Sequence, residues 1–244
     1  MGLTITVLGC DGSYAGPGGA CSGYLLSSGD THVWLDCGSG TLASLQQHIS
    51  LVDLTAIVVS HSHADHWADL SVAYVAVAYY VDRPVVPVYG TADTLERLVI
   101  ARGGPVEEAF DWHTISDGSE FDIGDLHFRS ARTDHPVETL AMRVENGTTA
   151  FAYTSDTGTA WPLTVLGPNI DLMFCEATFP EEQAGEFAHL TASEAGTAAR
   201  AAGVKRLVLT HLLPGADHAL ARENAARTFG ADVEIATTHM RIEL

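Results

Sequence analysis

The 244-residue sequence predicts an α/β protein in which helices cover mixed β-sheets. Two observations carry that expectation. Apolar stretches bounded by turn residues, the mark of strands, cluster at the start of the chain and again over residues 111–153. Helical patterns are interspersed in both halves, so a purely parallel wound sheet does not fit. Each half is β-rich first and then alternates strand with helix. No short-period repeat is visible.

In chain order, strands are expected at 3–9, 21–28, 31–37 and 54–59. "CGSGTLASLQQHI" predicts a helix over 40–49, and 68–81 reads as a largely buried helix. A strand at 85–89 and a helix at 92–102 follow. The segments "HTIS", "EFDIG", "LHFRSART", "ETLAMRVEN" and "TTAFAYTS" are short strands separated by Gly, Asp and Asn turns. Then come a short helix near 160–166, a strand at 170–175 and a helix at 191–202. A strand at 205–210, a helix at 218–229 and a β stretch at 232–243 complete the pattern. The length suits one domain spanning 1–244, with enough apolar residues for a sizeable core.

Twelve basic against 31 acidic residues give a net charge of −19, a poor surface for a long polyanion but no obstacle to a small anion held by a metal. Cys10, Cys21, Cys37 and Cys175 form no CxxC pair and sit in or beside apolar runs. They are expected as buried thiols, neither disulfides nor ligands. "MGLTITVLG" reads as a strand without a basic or signal-like segment. The longest apolar run, 70–81, is too short to span a bilayer. A cytoplasmic protein with no membrane association is the expectation.

"SHSHADHWADL" (60–70) packs His61, His63, Asp65 and His66 behind the buried-looking strand "LTAIVVS". Loops at strand ends commonly display functional groups. Neutral imidazole and carboxylate are ligands for Zn, Mn or Fe. One loop cannot close a coordination sphere, and the strand-end pattern recurs: "FRSARTDHP" brings His135, "TAFAYTSDTG" Asp156 and "KRLVLTHLLPG" His211.

With these residues in place, the chain resembles the metallo-β-lactamase superfamily over nearly its whole length. The resemblance implies an αβ/βα sandwich of two mixed sheets flanked by helices. It implies that His61, His63 and His135 bind one divalent ion, that Asp65, His66 and His211 bind a second, and that Asp156 bridges them. Asp36 in "LDCGSG" would orient ligands through hydrogen bonds. Zinc is the expected metal, with Mn or Fe as alternatives. Two such ions about 3.5–4 Å apart activate water near neutral pH and neutralise charge on a phosphoryl or carbonyl oxygen.

β-Lactamases of this fold mostly lack the bridging aspartate, and many use a cysteine at the second metal; this chain has Asp156 and no cysteine at the matched positions. "LGCDGSYAGPGGACSGYLL", "CEATF" and "HLTASEAG" are instead similar to the tRNase Z-like phosphodiesterase group. That likeness implies that His189 donates a hydrogen bond or proton to the phosphate or leaving oxygen, oriented by Glu176. Thr191 and Glu194 read as a capping box. The glycines of 12–19 are open to two readings, simple turns or a site loop.

The chain departs from that group in two places. Twenty residues separate His135 from Asp156, too few for the tRNA-gripping arm. Asp69 stands in "HWADL" where glycine is usual, a variant that resembles a bacterial branch associated with cyclic-nucleotide phosphodiesterase activity. The expected function is therefore dinuclear metal-dependent hydrolysis of small phosphodiesters such as cyclic nucleotides, with Asp65 accepting a proton from the nucleophile. Thioester or lactone hydrolysis, tRNA 3′-processing and non-catalytic metal binding are the alternatives. Trp67 and Tyr14 are candidates to wall or cover the site, with packing the simpler reading for each. Tyr74, Tyr79 and Tyr80 are expected in the core or at a homodimer contact. Ser155 and Thr157 flank the bridge. His32, His48, His113, His127, His218 and His239 show no partner in the sequence.

Overall fold

The chain opens with three antiparallel strands, β1 (Thr4–Gly9), β2 (Gly23–Ser28) and β3 (Thr31–Leu35), in a computed structural model that describes residues 2–147 and 149–244. It then turns parallel through β4 (Ala56–Val58), β5 (Val86–Gly90) and β6 (Phe110–Thr114). The connections carry α1 (Thr41–Leu45), α2 (Ala64–Tyr79) and α3 (Ala92–Arg102). The second half repeats the scheme. β7 (Glu120–Ile123), β8 (Leu126–Arg132), β9 (Leu140–Glu145) and β10 (Ala150–Tyr153) are antiparallel. β11 (Leu172–Glu176), β12 (Arg206–Thr210) and β13 (Val233–Ile235) continue in parallel, with α4 (Ala192–Ala201) and α5 (His218–Phe229) between them. A last strand, β14 (Arg241–Glu243), returns to pair with β1. The two seven-stranded sheets run β14-β1-β2-β3-β4-β5-β6 and β13-β12-β11-β10-β9-β8-β7. This is the sandwich expected from the sequence.

Strand periodicity explains the layers. Alternate residues point to opposite faces, so "AFAY" and "LMFCE" must bury both. Phe151, Tyr153, Leu172 and Phe174 face Tyr24, Leu26, Val33 and Leu35 of the other sheet. Ala152, Met173, Cys175 and Leu209 face outward onto Ala195, Ala199 and Phe229 of α4 and α5. Trp34, Ile57 and Val88 do the same against Leu45, Leu70, Tyr74 and Val77 of α1 and α2. Each fully buried large apolar side chain contributes roughly 1.5–3 kcal/mol, so the two outer layers stabilise the parallel strands that end at the site.

Five expectations are corrected. α2 begins at Ala64, not 68, because His63 in extended conformation takes the N-cap and Asp65 sits in the first turn. Asp65 and His66 are thus helical. α2 is buried along one face only: Tyr74 is in the core, while Tyr79 and Tyr80 are 61% and 83% exposed. The helix expected over 40–49 is only α1, and that near 160–166 is a 3₁₀ turn, Leu163–Leu166. The stretch 232–243 is not continuous. His239 adopts φ +69 and sends the chain from β13 across to the other sheet. All four cysteines are free thiols, as expected, and burial pushes Cys10 up to about 12. No helix among the described residues is long and apolar enough to cross a membrane.

Candidate metal centre

All the expected donors meet at the C-terminal ends of the parallel strands, on the seam between the sheets. His61, His63, His135 and Asp156 present ligand atoms within 4.8 Å of one another, as do Asp65, His66 and His211. Asp156 lies 3.5 Å from His61, 3.3 Å from His66 and 3.5 Å from His211, so it touches both groups. Asp36 and His211 leave their strands at φ +57 and +59, and Ser155 beside Asp156 at +52. Side chains rarely adopt that region, and such strain concentrates at functional sites.

Two buried carboxylates set the imidazole tautomers. Asp36 accepts hydrogen bonds from the Ser60 amide (2.7 Å), the Ser60 hydroxyl (2.9 Å) and Tyr153 (2.9 Å). It also accepts from His66 Nδ1 at 2.8 Å. Because the Ser60 hydroxyl donates to Asp36, it accepts from His61 Nδ1 at 3.0 Å. Glu176 does the same on the other sheet. It accepts from His189 Nδ1 at 2.9 Å and from the Thr178 hydroxyl at 2.7 Å. Thr178 in turn accepts from His211 Nδ1 at 2.8 Å. His135 Nδ1 donates to the Ala188 carbonyl at 3.1 Å. Each carboxylate therefore orients one histidine directly and a second through a hydroxyl. The Nε2 atoms of His61, His66, His135 and His211 are left facing the centre.

The donor set fits divalent cations. His66 and His211 bring Nε2 atoms to 3.2 Å, and His135 Nε2 lies 3.1 Å from His63 Nδ1. Lone pairs at that distance repel unless a proton or a cation lies between them. His61 Nε2 and Asp156 Oδ1 are buried without any hydrogen-bond partner, an expensive arrangement if nothing else binds there. Burial pushes His61 and His135 down to about 4, which keeps them neutral and able to ligate. Burial works against the charged form of Asp156, but His211, His66 and His61 hold its pKa well below the usual carboxylate range. Burial likewise opposes a charged His66, yet Asp156, Asp65 and Asp36 hold it protonated well above the usual value. A bound cation would supply that positive charge instead.

The capping box at α4 is present: Thr191 accepts from the Glu194 amide, and Glu194 from the Thr191 amide. It holds His189 just before a helix N-terminus. The Gly-rich loop belongs to the site. The Ser13 amide donates to Asp65 at 3.0 Å, and a Cβ on Gly12 would lie 2.3 Å from the His211 carbonyl. Thr157 donates its amide to Glu176, and Ser155 its hydroxyl to Ser60.

Asp69 and Trp67 both have structural partners, and for Trp67 packing is the reading that holds. Asp69 accepts from the Leu42 amide at 2.7 Å and so caps α1, whose own N-cap is Gly40. Trp67 donates to the Ser62 carbonyl and packs on the α1–α2 core. Tyr14 is 59% exposed. Among the remaining histidines, His48 pairs with His239, His32 with Ser27, His113 with Asp111 and His127 with Asp122, all outside the donor set. Sequence reasoning missed Ser60, Thr178, Tyr153 and the Ala188 carbonyl. Thr178 lies within "CEATF" and Ser60 opens the histidine motif; Tyr153 carries no signal beyond its place in a strand.

A histidine–aspartate centre on the seam of two mixed sheets is the architecture of the metallo-β-lactamase fold. Residues 31–212 match the Beta-lactamase superfamily domain, and the chain belongs to that superfamily. It is 36% identical over 225 residues to the uncharacterized protein Rv1339 of Mycobacterium tuberculosis, covering 88% of this chain and 82% of that one. It is 31% identical over 243 residues to the "Probable metallo-hydrolase YhfI" of Bacillus subtilis, covering 96% and 97%. The crystal structure of YhfI superposes with a TM-score of 0.90 at 29% identity, over 100% of this chain and 99% of that one. A ribonuclease Z from Methanopyrus kandleri is 28% identical over 266 residues, 93% of each chain.

Proposed function

We propose that the protein is a metal-dependent hydrolase of phosphodiesters in small substrates such as cyclic nucleotides. The observation that carries this reading is His189. Its ring stacks on the His211 ring at 5.8 Å and 13°, and Glu176 holds its Nδ1 proton, so Nε2 is left for a substrate beside the donor set. Burial lowers the His189 pKa, but the Glu176 hydrogen bond and charge outweigh it and raise the value, favouring the imidazolium. A phosphodiester needs such a donor for its leaving oxygen.

His61, His63 and His135 would hold one ion, Asp65, His66 and His211 a second, and Asp156 would serve both. When bound, such ions supply Lewis acidity and an activated water near neutral pH. The chain does the rest. His189 donates its proton to the leaving oxygen, and Glu176 keeps it oriented. Asp65, whose side chain is 12% exposed against 3% for Asp156, takes the proton lost by the water. Among the described residues no lysine or arginine is bonded to these groups. Substrate charge would then fall on the ions and His189 alone, which suits a singly charged diester better than a doubly charged terminal phosphate. The ribonuclease Z relative, by its name, cleaves the same bond class. Between His135 and Asp156 the described residues form the β9–β10 hairpin, and the net charge is −19, so tRNA is not the proposed substrate.

The test is a panel of bis(p-nitrophenyl) phosphate, 3′,5′-cyclic AMP, an acyl thioester and a lactone, with Zn- and Mn-loaded protein. His189→Ala should lower phosphodiester turnover by about 10²–10⁴ with metal content unchanged, while Asp156→Ala should lose metal. Turnover of the thioester or lactone alone would replace the phosphodiester reading. No turnover at full metal loading would leave a metal-binding protein.

A further inference from the structure

We infer that Phe187, stacked on Phe179, is the platform for a nucleobase of the substrate, an inference that rests on the phosphodiesterase reading. A series of rings leads outward from the donor set. His189 stacks on His211, Phe179 meets His189 edge-on at 5.4 Å and 71°, and Phe187 stacks on Phe179 at 4.9 Å and 28°. Phe187 ends the series, 54% exposed.

The platform is not a loose surface aromatic. Ala188 follows Phe187 and accepts the Nδ1 hydrogen bond of His135. His189 is bonded to Glu176, and so is the Leu190 amide. The Phe179 amide donates to the Leu190 carbonyl, and Phe179 bridges to Thr191. Consecutive Cα atoms are about 3.8 Å apart, so Phe187 stands one residue from a carbonyl that orients a donor histidine. Its register with the centre is set by the bonds that set the centre.

The chemistry of the rim selects the occupant. The surrounding "FPEEQAGEF" holds Glu181, Glu182 and Glu186 and no lysine or arginine. A second phosphate is repelled there, whereas a neutral planar ring loses nothing. Every base offers a π-face, and stacking needs no edge-reading hydrogen bonds. The platform would thus favour nucleoside diesters over aliphatic ones without choosing strongly among bases.

The test compares 3′,5′-cyclic AMP with ribose 3′,5′-cyclic phosphate, which lacks the base. Phe187→Ala should raise KM for cyclic AMP about tenfold to hundredfold, the effect of losing one base–aromatic stack. Its kcat, and both constants for the abasic substrate, should stay as in the wild type, and Phe187→Trp should restore KM. Equal losses on both substrates, or none on either, would overturn the inference. Calorimetric binding of 5′-AMP needs no turnover and should weaken in Phe187→Ala; unchanged binding also overturns it. A wild type that binds 5′-AMP through Phe187 but hydrolyses neither cyclic phosphate would refute the phosphodiesterase reading and leave the platform standing.

Discussion

Replacing Asp69 should cost stability and spare chemistry. Asp69 reaches from α2 to the N-terminus of α1, where Gly40 offers no side-chain cap, and accepts the Leu42 amide at 2.7 Å. Burial raises its pKa, and the amides of Leu42, Gly40 and Thr41 counter that shift. Asp69→Ala removes a helix cap, typically about 1 kcal/mol. It also strips a charged acceptor from partly buried N–H groups, an effect of about 1.5–3 kcal/mol that overlaps the first. The expected net loss is about 2 kcal/mol, or roughly 4–8 °C in Tm for a chain of this size. Asp69→Asn keeps an acceptor and should lose less than about 1 kcal/mol. Urea unfolding and a thermal scan measure both. kcat/KM for any accepted substrate should change by less than about twofold, a few tenths of a kcal/mol. An unshifted Tm combined with a large change in KM would refute the reasoning and make Asp69 a substrate contact.

Glu176→Gln weakens the Glu176 hydrogen bond and removes the Glu176 charge, the two larger causes that raise the His189 pKa, and leaves the charge of Asp156. The imidazolium then gives up its proton at lower pH, and the alkaline limb of the kcat profile should move toward acid with metal content unchanged; a limb that stays put or moves up contradicts the assignment. Thr178→Val deletes the hydroxyl linking Glu176 to His211. Metal affinity, read by competition with a chelator, should fall about 10–100-fold, and Thr178→Ser should recover it; unchanged affinity would mean that the His211 tautomer is set elsewhere.

The donor residues were readable because each histidine or aspartate falls within a few residues of the end of an expected strand, and these strands end at one edge. The groups that orient them were not. Ser60, Thr178 and Tyr153 matter through single hydroxyls, and hydroxyl residues are common in strands and turns for other reasons. The contacts of Asp69 and Trp67 were illegible for a different reason. Their partners are an uncapped helix end and a loop carbonyl, Leu42 N–H and Ser62 O, and neither is visible until α1 and α2 are packed. The start of α2 was misplaced because Asp65 and His66 look like loop residues, although nothing in "ADHWADL" breaks a helix.

The centre draws Asp36, His61, His63, Asp65 and His66 from the first sheet and its helices, and His135, Asp156, Glu176, His189 and His211 from the second. Neither half holds a complete set. A cation held there would be a clasp between two halves built on the same plan. Local opening that parts the sheets must first break coordination, so with metal bound the amides of β4 and β12 should exchange with deuterium as one cooperative unit. With metal removed, the protonated His66 beside Asp156 and the shared core of the two sheets are what remain to hold the joint, and the same amides should exchange faster.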